Sequence, residues 1–174
     1  LISLPKDGIM VDATAGHGGH SYLFGQQLSP DGLILGLDVD KNCIGRAQEK
    51  LSSLSCKDLL VRENFSEVAE VMAGKGIGKV DFILADLGFC SGQLTDSAKG
   101  LSFQENMPLD MRLDNRLQFT AADIVNNEDE DDLANLIFDF GEERASRRIA
   151  RFIVEYRRGQ PITTTAQLAA IICK

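Results

Sequence analysis

No uninterrupted apolar run in this 174-residue chain approaches the roughly 20 residues that a membrane-spanning helix needs. The opening Leu1-Ile2-Ser3-Leu4-Pro5-Lys6-Asp7 also lacks the basic-then-apolar layout of a secretory signal. A membrane partner is therefore not expected, and the chain reads as cytosolic or as a resident of an organellar matrix. Cysteine is scarce and scattered: Cys43, Cys56, Cys90 and Cys173 form no C-x-x-C pair, so neither a zinc site nor a disulfide framework is signalled. Buried free thiols in a reducing compartment are the expectation. Histidine is scarcer still, and His17 and His20 without a third ligand make a poor zinc set, so no metal is expected. There is no internal repeat, and no low-complexity tract beyond one short acidic run. What remains, 44% hydrophobic and 25% charged residues, is the composition of a globular chain of one domain, or of one domain carrying an insert.

The formal net charge of −8 argues at first against a nucleic-acid partner, which needs local positive potential. The charge is segregated, however. Residues 121–140 hold seven acids and no base, whereas residues 141–160 hold six arginines against three glutamates. A solvated acidic face accounts for the first block. The second fits either phosphate contact or internal pairing.

The sequence Val11-Asp12-Ala13-Thr14-Ala15-Gly16-His17-Gly18-Gly19-His20-Ser21 is a glycine-dense turn between an apolar run and a helical pattern. Gly16, Gly18 and Gly19 permit positive φ and remove Cβ atoms that would hold a ligand away, and the amides opening the next helix face the same place. The spacing lacks the third glycine of the dinucleotide fingerprint G-x-G-x-x-G, which favours S-adenosylmethionine over a nicotinamide cofactor. A plain strand-to-helix turn is the alternative.

Along the chain, strands are expected at Gly8 to Asp12, Leu33 to Leu37, Leu59 to Arg62 and Val80 to Ala85. They alternate with helices over His20 to Leu28, Lys41 to Leu51 behind an Asp40 cap, and Ser66 to Gly74. Such alternation implies βαβ units and a parallel α/β sheet that gathers ligands at the carboxyl ends of its strands. Asp86 to Gln118 is polar, weakly periodic and too long for an ordinary connection, hence expected to be functional. Helices are expected after it, over Thr120 to Val125, Asp131 to Phe140, Glu142 to Arg158 and Thr164 to Cys173. Asp38 ends the second strand about 20 residues after the glycine loop, where an acid can accept from both ribose hydroxyls of a cofactor. Asp86 ends the fourth strand, where an amino-directed methyltransferase must hold both cofactor and nucleophile. Each acid is alternatively a helix cap or turn former.

Asp12-Ala13-Thr14-Ala15-Gly16-His17-Gly18-Gly19-His20-Ser21, Asp86-Leu87-Gly88-Phe89-Cys90-Ser91-Gly92-Gln93-Leu94, Gly100-Leu101-Ser102-Phe103 and Pro108-Leu109-Asp110-Met111-Arg112-Leu113-Asp114 resemble the bacterial 16S ribosomal RNA cytosine-N4 methyltransferases. Gly141-Glu142-Glu143-Arg144, Arg148-Ile149-Ala150 and Pro161-Ile162-Thr163-Thr164-Thr165 extend the likeness over nearly the whole chain. The resemblance implies a Rossmann-like class I methyltransferase parallel sheet with a helical insert domain after the fourth strand. It places a cofactor-binding part at residues 1–95 and a long loop with a helical, RNA-recognising insert at 96–174. It also implies S-adenosylmethionine contacts at Gly18, Gly19, His20, Asp38, Phe65, Asp86 and Gln93. Small-subunit ribosomal RNA, or the assembled small subunit, is the implied substrate, a homodimer is an open assembly, and the bacterial cytoplasm or an organellar matrix the compartment. Phe89, Cys90, Thr95, Lys99 and Leu101 depart from the family's usual residues and bear on the shape of the base pocket. The chain has no initiator Met, and it stops where the family returns to complete the sheet. A fragment, incomplete at the C-terminal side of the sheet, is the expectation.

The chemistry narrows the catalytic candidates. The exocyclic amine of cytosine is a poor nucleophile because its lone pair is conjugated with the ring, so positioning and acceptors for its N–H groups must supply most of the acceleration. Asp86 with the carbonyls of Leu87 and Gly88 can supply acceptors, and Phe89 can stack on a base turned out of its helix or, alternatively, pack as a core aromatic. On the expected helix from Glu142, Arg144, Arg148 and Arg151 share one face beside an Ile149, Phe152 and Tyr156 stripe. These arginines, with Arg112, are the RNA-binding candidates, although pairing with Glu142, Glu143 and Glu155 is the alternative. Three functions follow: an RNA cytosine-N4 methyltransferase, an amino methyltransferase acting on another substrate, and a non-catalytic cofactor- or RNA-binding fragment.

Overall fold

The structure is a computed structural model that describes residues 2–89, 91–94, 96 and 99–173. The chain forms two compact units, residues 1–90 and 91–174. The boundary lies five residues earlier than expected from the sequence, so the helix carrying Gln93 belongs to the second unit.

In the first unit, strands β1 (Ile9–Asp12), β2 (Leu33–Leu37), β3 (Lys57–Val61) and β4 (Phe82–Leu84) form a parallel sheet in the order β3-β2-β1-β4. Helices α1 (Gly19–Gly25), α2 (Lys41–Leu51) and α3 (Val68–Gly74) make the crossovers. The expected β2 and α2 are found residue for residue, and Asp40 caps α2 by accepting the Asn42 amide at 2.9 Å. Helix α1 stops at Gly25, short of the expected Leu28, because the chain tightens into bonds from Gln27 N to Phe24 O and from Leu28 N to Gly25 O. The helix expected from Ser66 begins instead as a 3₁₀ turn, Phe65–Glu67, where the Asn64 side chain accepts the Ser66 amide at 3.0 Å.

Side chains alternate across the strands, as their period of two requires. Met10 and Ile34 pack with Leu28, Leu51, Tyr22 and Phe24 on one face; Val11, Leu35 and Leu37 pack with Val68, Val71 and Met72 on the other. Asp12 follows the parity of Met10 and so points to the α1 side. Strand β1 is central. The chain winds outward from it through β2 to β3, then returns to the opposite side for β4, so the switch in winding falls between β1 and β4. Open parallel sheets bind ligands at that point, beyond the carboxyl ends of the strands.

The second unit contains α4 (Ser91–Leu94), α5 (Ala121–Asn127), α6 (Glu130–Gly141), α7 (Ser146–Arg157) and α8 (Thr165–Ile172). Leu109, Val125, Leu133, Ile149, Ile153, Ile162 and Ile171 form its core. The long polar segment is partly built into this unit: Met107 and Leu109 are buried, and Met107 and Leu109 exchange backbone bonds with Thr165 and Thr163. The helix expected from Glu142 starts four residues later. Glu142 adopts a left-handed conformation, φ 52°, that ends α6, and the Glu143 carboxylate then accepts the Ala145 amide at 2.7 Å to form the turn before α7. Among the cysteines, Cys43 and Cys56 are buried as expected, Cys173 is exposed, and Cys90 lies outside the described residues. Among the described residues, no helix is long and apolar enough to cross a membrane.

Candidate active site

Four adjacent strands present their carboxyl ends together, and each is followed by a candidate residue. Phe65 follows β3, Asp38 follows β2, the glycine loop follows β1, and Asp86 and Phe89 follow β4.

The glycine loop is held from below by Asp12, whose carboxylate is 1% exposed. Its Oδ2 accepts the buried Ser21 hydroxyl at 2.6 Å and its Oδ1 accepts the Thr14 amide at 3.2 Å. Burial pushes the Asp12 carboxyl above the usual carboxylate range, against the lowering pull of the Ser21 and Thr14 donors. One side chain thus ties the loop to the first turn of α1. Ala13 N also donates to Leu84 O and Ala15 N to Leu37 O, each at 2.8 Å, which fixes the loop between β4 and β2.

Two glycines in this loop serve different ends. Gly18 has φ 75°, and a Cβ there would meet Ala47 Cα at 3.1 Å, so the fold itself requires glycine. At Gly19 a Cβ would meet nothing within 4 Å. Its missing side chain keeps an exposed surface bare where α1 begins, which suits a ligand lying against the backbone.

Asp38 bridges two loops. Its Oδ2 accepts Gly16 N at 2.9 Å and its Oδ1 accepts Asp40 N at 2.8 Å. The turn-forming role weighed for this acid is therefore present. A carboxylate offers about four lone-pair positions, so two amide bonds leave acceptor capacity for a pair of ribose hydroxyls. Among the described residues Asp86 caps no helix. Its side chain is 66% exposed, its amide donates to Thr14 Oγ1 at 2.7 Å, and its Oδ2 lies 3.7 Å from His20 Nδ1. Phe89 is 60% exposed, which removes the core-aromatic alternative, and Phe65 is also exposed. The first unit therefore brings Gly18, Gly19, His20, Asp38, Phe65, Asp86 and Phe89 to one edge of one sheet. Gln93 is buried in the second unit.

The RNA candidates fare unevenly. Arg112 is held by Asp110 through Nε at 2.8 Å and Nη2 at 2.7 Å, and its Nη1 donates to Leu117 O at 2.6 Å. Its guanidinium holds the Asp110 carboxyl below the usual range, and the pair braces a loop in which Met111 takes φ 62°. These bonds give Arg112 an internal role in this loop. Arg144 lies in the turn before α7 and does not share a helical face with Arg148 and Arg151, because the left-handed Glu142 delays the helix. Arg148 and Arg151 sit three apart on α7, both exposed, with Arg151 Nε 3.9 Å from Glu155. The neighbouring Arg147 pairs with Asp131 at 3.0 Å. The acidic run is solvent-facing and places Glu130, Asp131 and Asp132 in the first turn of α6, where the helix dipole favours them. A cleft of about 390 Å³ in the second unit, lined by Asn106, Tyr156, Thr164, Gln167 and Ile171, holds none of the candidates.

Sequence reasoning assigned no role to Asp12, Thr14 or Ser21. The available signal was a carboxylate at the end of a buried strand, which needs a partner nearby.

A parallel sheet with a glycine loop after its central strand and acids after the strands on either side defines a Rossmann-like α/β domain. Comparison with known proteins narrows this. The chain belongs to the MraW methylase family, whose sequence pattern matches residues 1–174. It is 43% identical over 173 residues to the ribosomal RNA small subunit methyltransferase H of Clostridioides difficile, a match covering 99% of this chain and 56% of that protein. The proteins of the same description from Syntrophobacter fumaroxidans and Geotalea uraniireducens are 46% identical over 169 residues and 45% over 165. These matches cover 97% and 95% of this chain and 53% of each relative. The chain thus spans about half the length of the curated relatives it matches.

Proposed function

We propose that this chain carries the cofactor site and the amine-holding acid of an S-adenosylmethionine-dependent methyltransferase that modifies the N4 amine of a cytidine in small-subunit ribosomal RNA. The observation that carries this reading is the convergence of the bare Gly19 backbone, Asp38 and Asp86 at the carboxyl ends of neighbouring parallel strands. The relatives' described substrate supplies the RNA.

When bound, S-adenosylmethionine supplies an electrophilic methyl group on a sulfonium. Gly18, Gly19 and His20 would line its amino-acid end, Asp38 would accept from its ribose hydroxyls, and Phe65 would complete the first unit's contacts. Asp86 would accept an N–H of the cytosine amine, which turns the nitrogen lone pair toward the methyl and disperses the charge that develops on nitrogen. The exposed Phe89 would stack on the extruded base. His20, 3.7 Å from Asp86, bounds the side of the carboxylate that faces the loop. Arg144, Arg148 and Arg151 on the second unit would meet phosphates, and the compartment is that of the ribosomal RNA, the cytoplasm in a bacterium.

Calorimetric titration of S-adenosylmethionine into a full-length protein carrying this sequence, followed by transfer of labelled methyl to small ribosomal subunits, tests this reading. Binding together with cytidine labelling is expected. Binding with no transfer to RNA would leave a cofactor-binding domain with another substrate.

A further inference from the structure

We propose that Thr14 is a positioning residue for methyl transfer: its hydroxyl accepts the Asp86 amide and thereby fixes where the Asp86 carboxylate stands. This rests on the assignment of Asp86 to the target amine.

The parallel register of β1 and β4 pairs Asp12 with Leu84. Two residues further along each strand, Thr14 and Asp86 meet across the switch point, and the Asp86 amide donates to Thr14 Oγ1 at 2.7 Å. Regular pairing has ended there. Ala85 to Phe89 are all exposed and belong to no strand, so the direction of the Asp86 side chain depends on what holds its backbone. Thr14 is itself firmly held. Its amide donates to the buried Asp12 carboxylate, and the amides on either side, Ala13 and Ala15, donate to β4 and β2. The hydroxyl therefore transfers the order of a buried network, Ser21 to Asp12 to Thr14, onto an exposed acid.

Threonine suits this task because β-branching restricts χ1 and keeps the hydroxyl aimed. An acceptor for a lone N–H does not by itself make a catalytic residue. The consequence is geometric: an acid displaced by about 1 Å loses much of the benefit of orientation.

The test compares Thr14→Val, Thr14→Ser and Asp86→Ala in a full-length protein carrying this sequence, reading kcat, KM for RNA, S-adenosylmethionine affinity and thermal midpoint. Valine keeps the shape and removes the acceptor. It should lower kcat about tenfold to hundredfold while cofactor affinity and the thermal midpoint stay near those of the parent, and serine should restore most of the rate. A Thr14→Val kcat equal to the parent's, with Asp86→Ala inactive, would overturn the proposal and leave the role of Asp86 intact. Parallel losses of kcat, cofactor affinity and thermal midpoint would make Thr14 merely structural and overturn it as well. Full activity in Asp86→Ala would remove the reading of Asp86 on which the proposal stands. Should Thr14→Val not fold, Thr14→Ala reports the same loss of acceptor.

Discussion

Ser21→Ala should destabilise the first unit well beyond the usual effect of removing a serine hydroxyl. Ser21 is fully buried and its Oγ stands 2.6 Å from Oδ2 of Asp12, a carboxylate that is itself buried. Hydrogen bonds to charged groups contribute about 1.5 to 3 kcal/mol, and stranding a buried acceptor adds its desolvation penalty. A loss of about 2 to 3 kcal/mol is expected, a large share of a domain's stability of roughly 5 to 15 kcal/mol. The loss should depend on pH with a definite sign. Burial already raises the Asp12 carboxyl above its usual range, so the folded state holds this proton more tightly than the unfolded chain does. Removing the serine donor raises it further. Stability of the variant should then fall more steeply as pH rises above the unfolded carboxylate value of about 3.9, so that the deficit grows with pH from that value upward. Asp12→Asn, which removes the charge, should make the Ser21→Ala deficit smaller in the double variant than in the single one. Hydrogen exchange at the amides of β1 and β2, with urea unfolding, measures this. A deficit below about 0.5 kcal/mol, the range of ordinary surface substitutions, or one that stays constant from below the unfolded carboxylate value to alkaline pH, would refute the reasoning.

Gly19→Ala should leave the thermal midpoint unchanged yet weaken S-adenosylmethionine binding, whereas Gly18→Ala should lower both, because only Gly18 combines positive φ with a close Ala47; calorimetry beside thermal melting separates the two. Asp38→Ala should weaken cofactor binding by about 1 to 3 kcal/mol, and unchanged affinity by calorimetry would remove it from the site. Because Arg112 depresses the Asp110 carboxyl, the pair's contribution is present above the unfolded carboxylate value and is lost as pH falls through the lower folded one. Asp110→Asn should therefore flatten the acid limb of the second unit's unfolding curve, and an unaltered limb would contradict this. Replacing Arg144, Arg148 and Arg151 should weaken RNA binding and flatten its salt dependence with cofactor affinity intact; an unchanged salt slope would return them to surface pairing.

The sheet was legible where local chemistry and tertiary packing agree. Leu33 to Leu37 is a continuous apolar run between Gly32 and Asp38, and Asp40 offers an N-cap whose side chain accepts the Asn42 amide. The start of α7 was not legible, because a glutamate in the left-handed conformation carries no propensity signal, although Gly141 beside it marks where a helix commonly stops. The pairing of Arg112 with Asp110 was hidden for a similar reason. Residues two apart do not face each other on a helix, and only the turn at Met111 brings them together. That the glycine loop and the two acids follow parallel strands could be read, because each ends an apolar run. Thr14 could not, since its bond to Asp86 crosses 72 residues of sequence and exists only through the parallel register of β1 and β4.

The central claim, that Asp86 holds the amine to be methylated, is tested most directly by nucleoside mass spectrometry of small-subunit ribosomal RNA treated with S-adenosylmethionine and a full-length protein carrying this sequence, with and without Asp86→Ala. The account predicts N4-methylcytidine with the parent protein and at least about a hundredfold less with the variant, the scale of losing a positioned electrostatic group, while RNA binding is largely retained. Equal yields of N4-methylcytidine from the two proteins would contradict it.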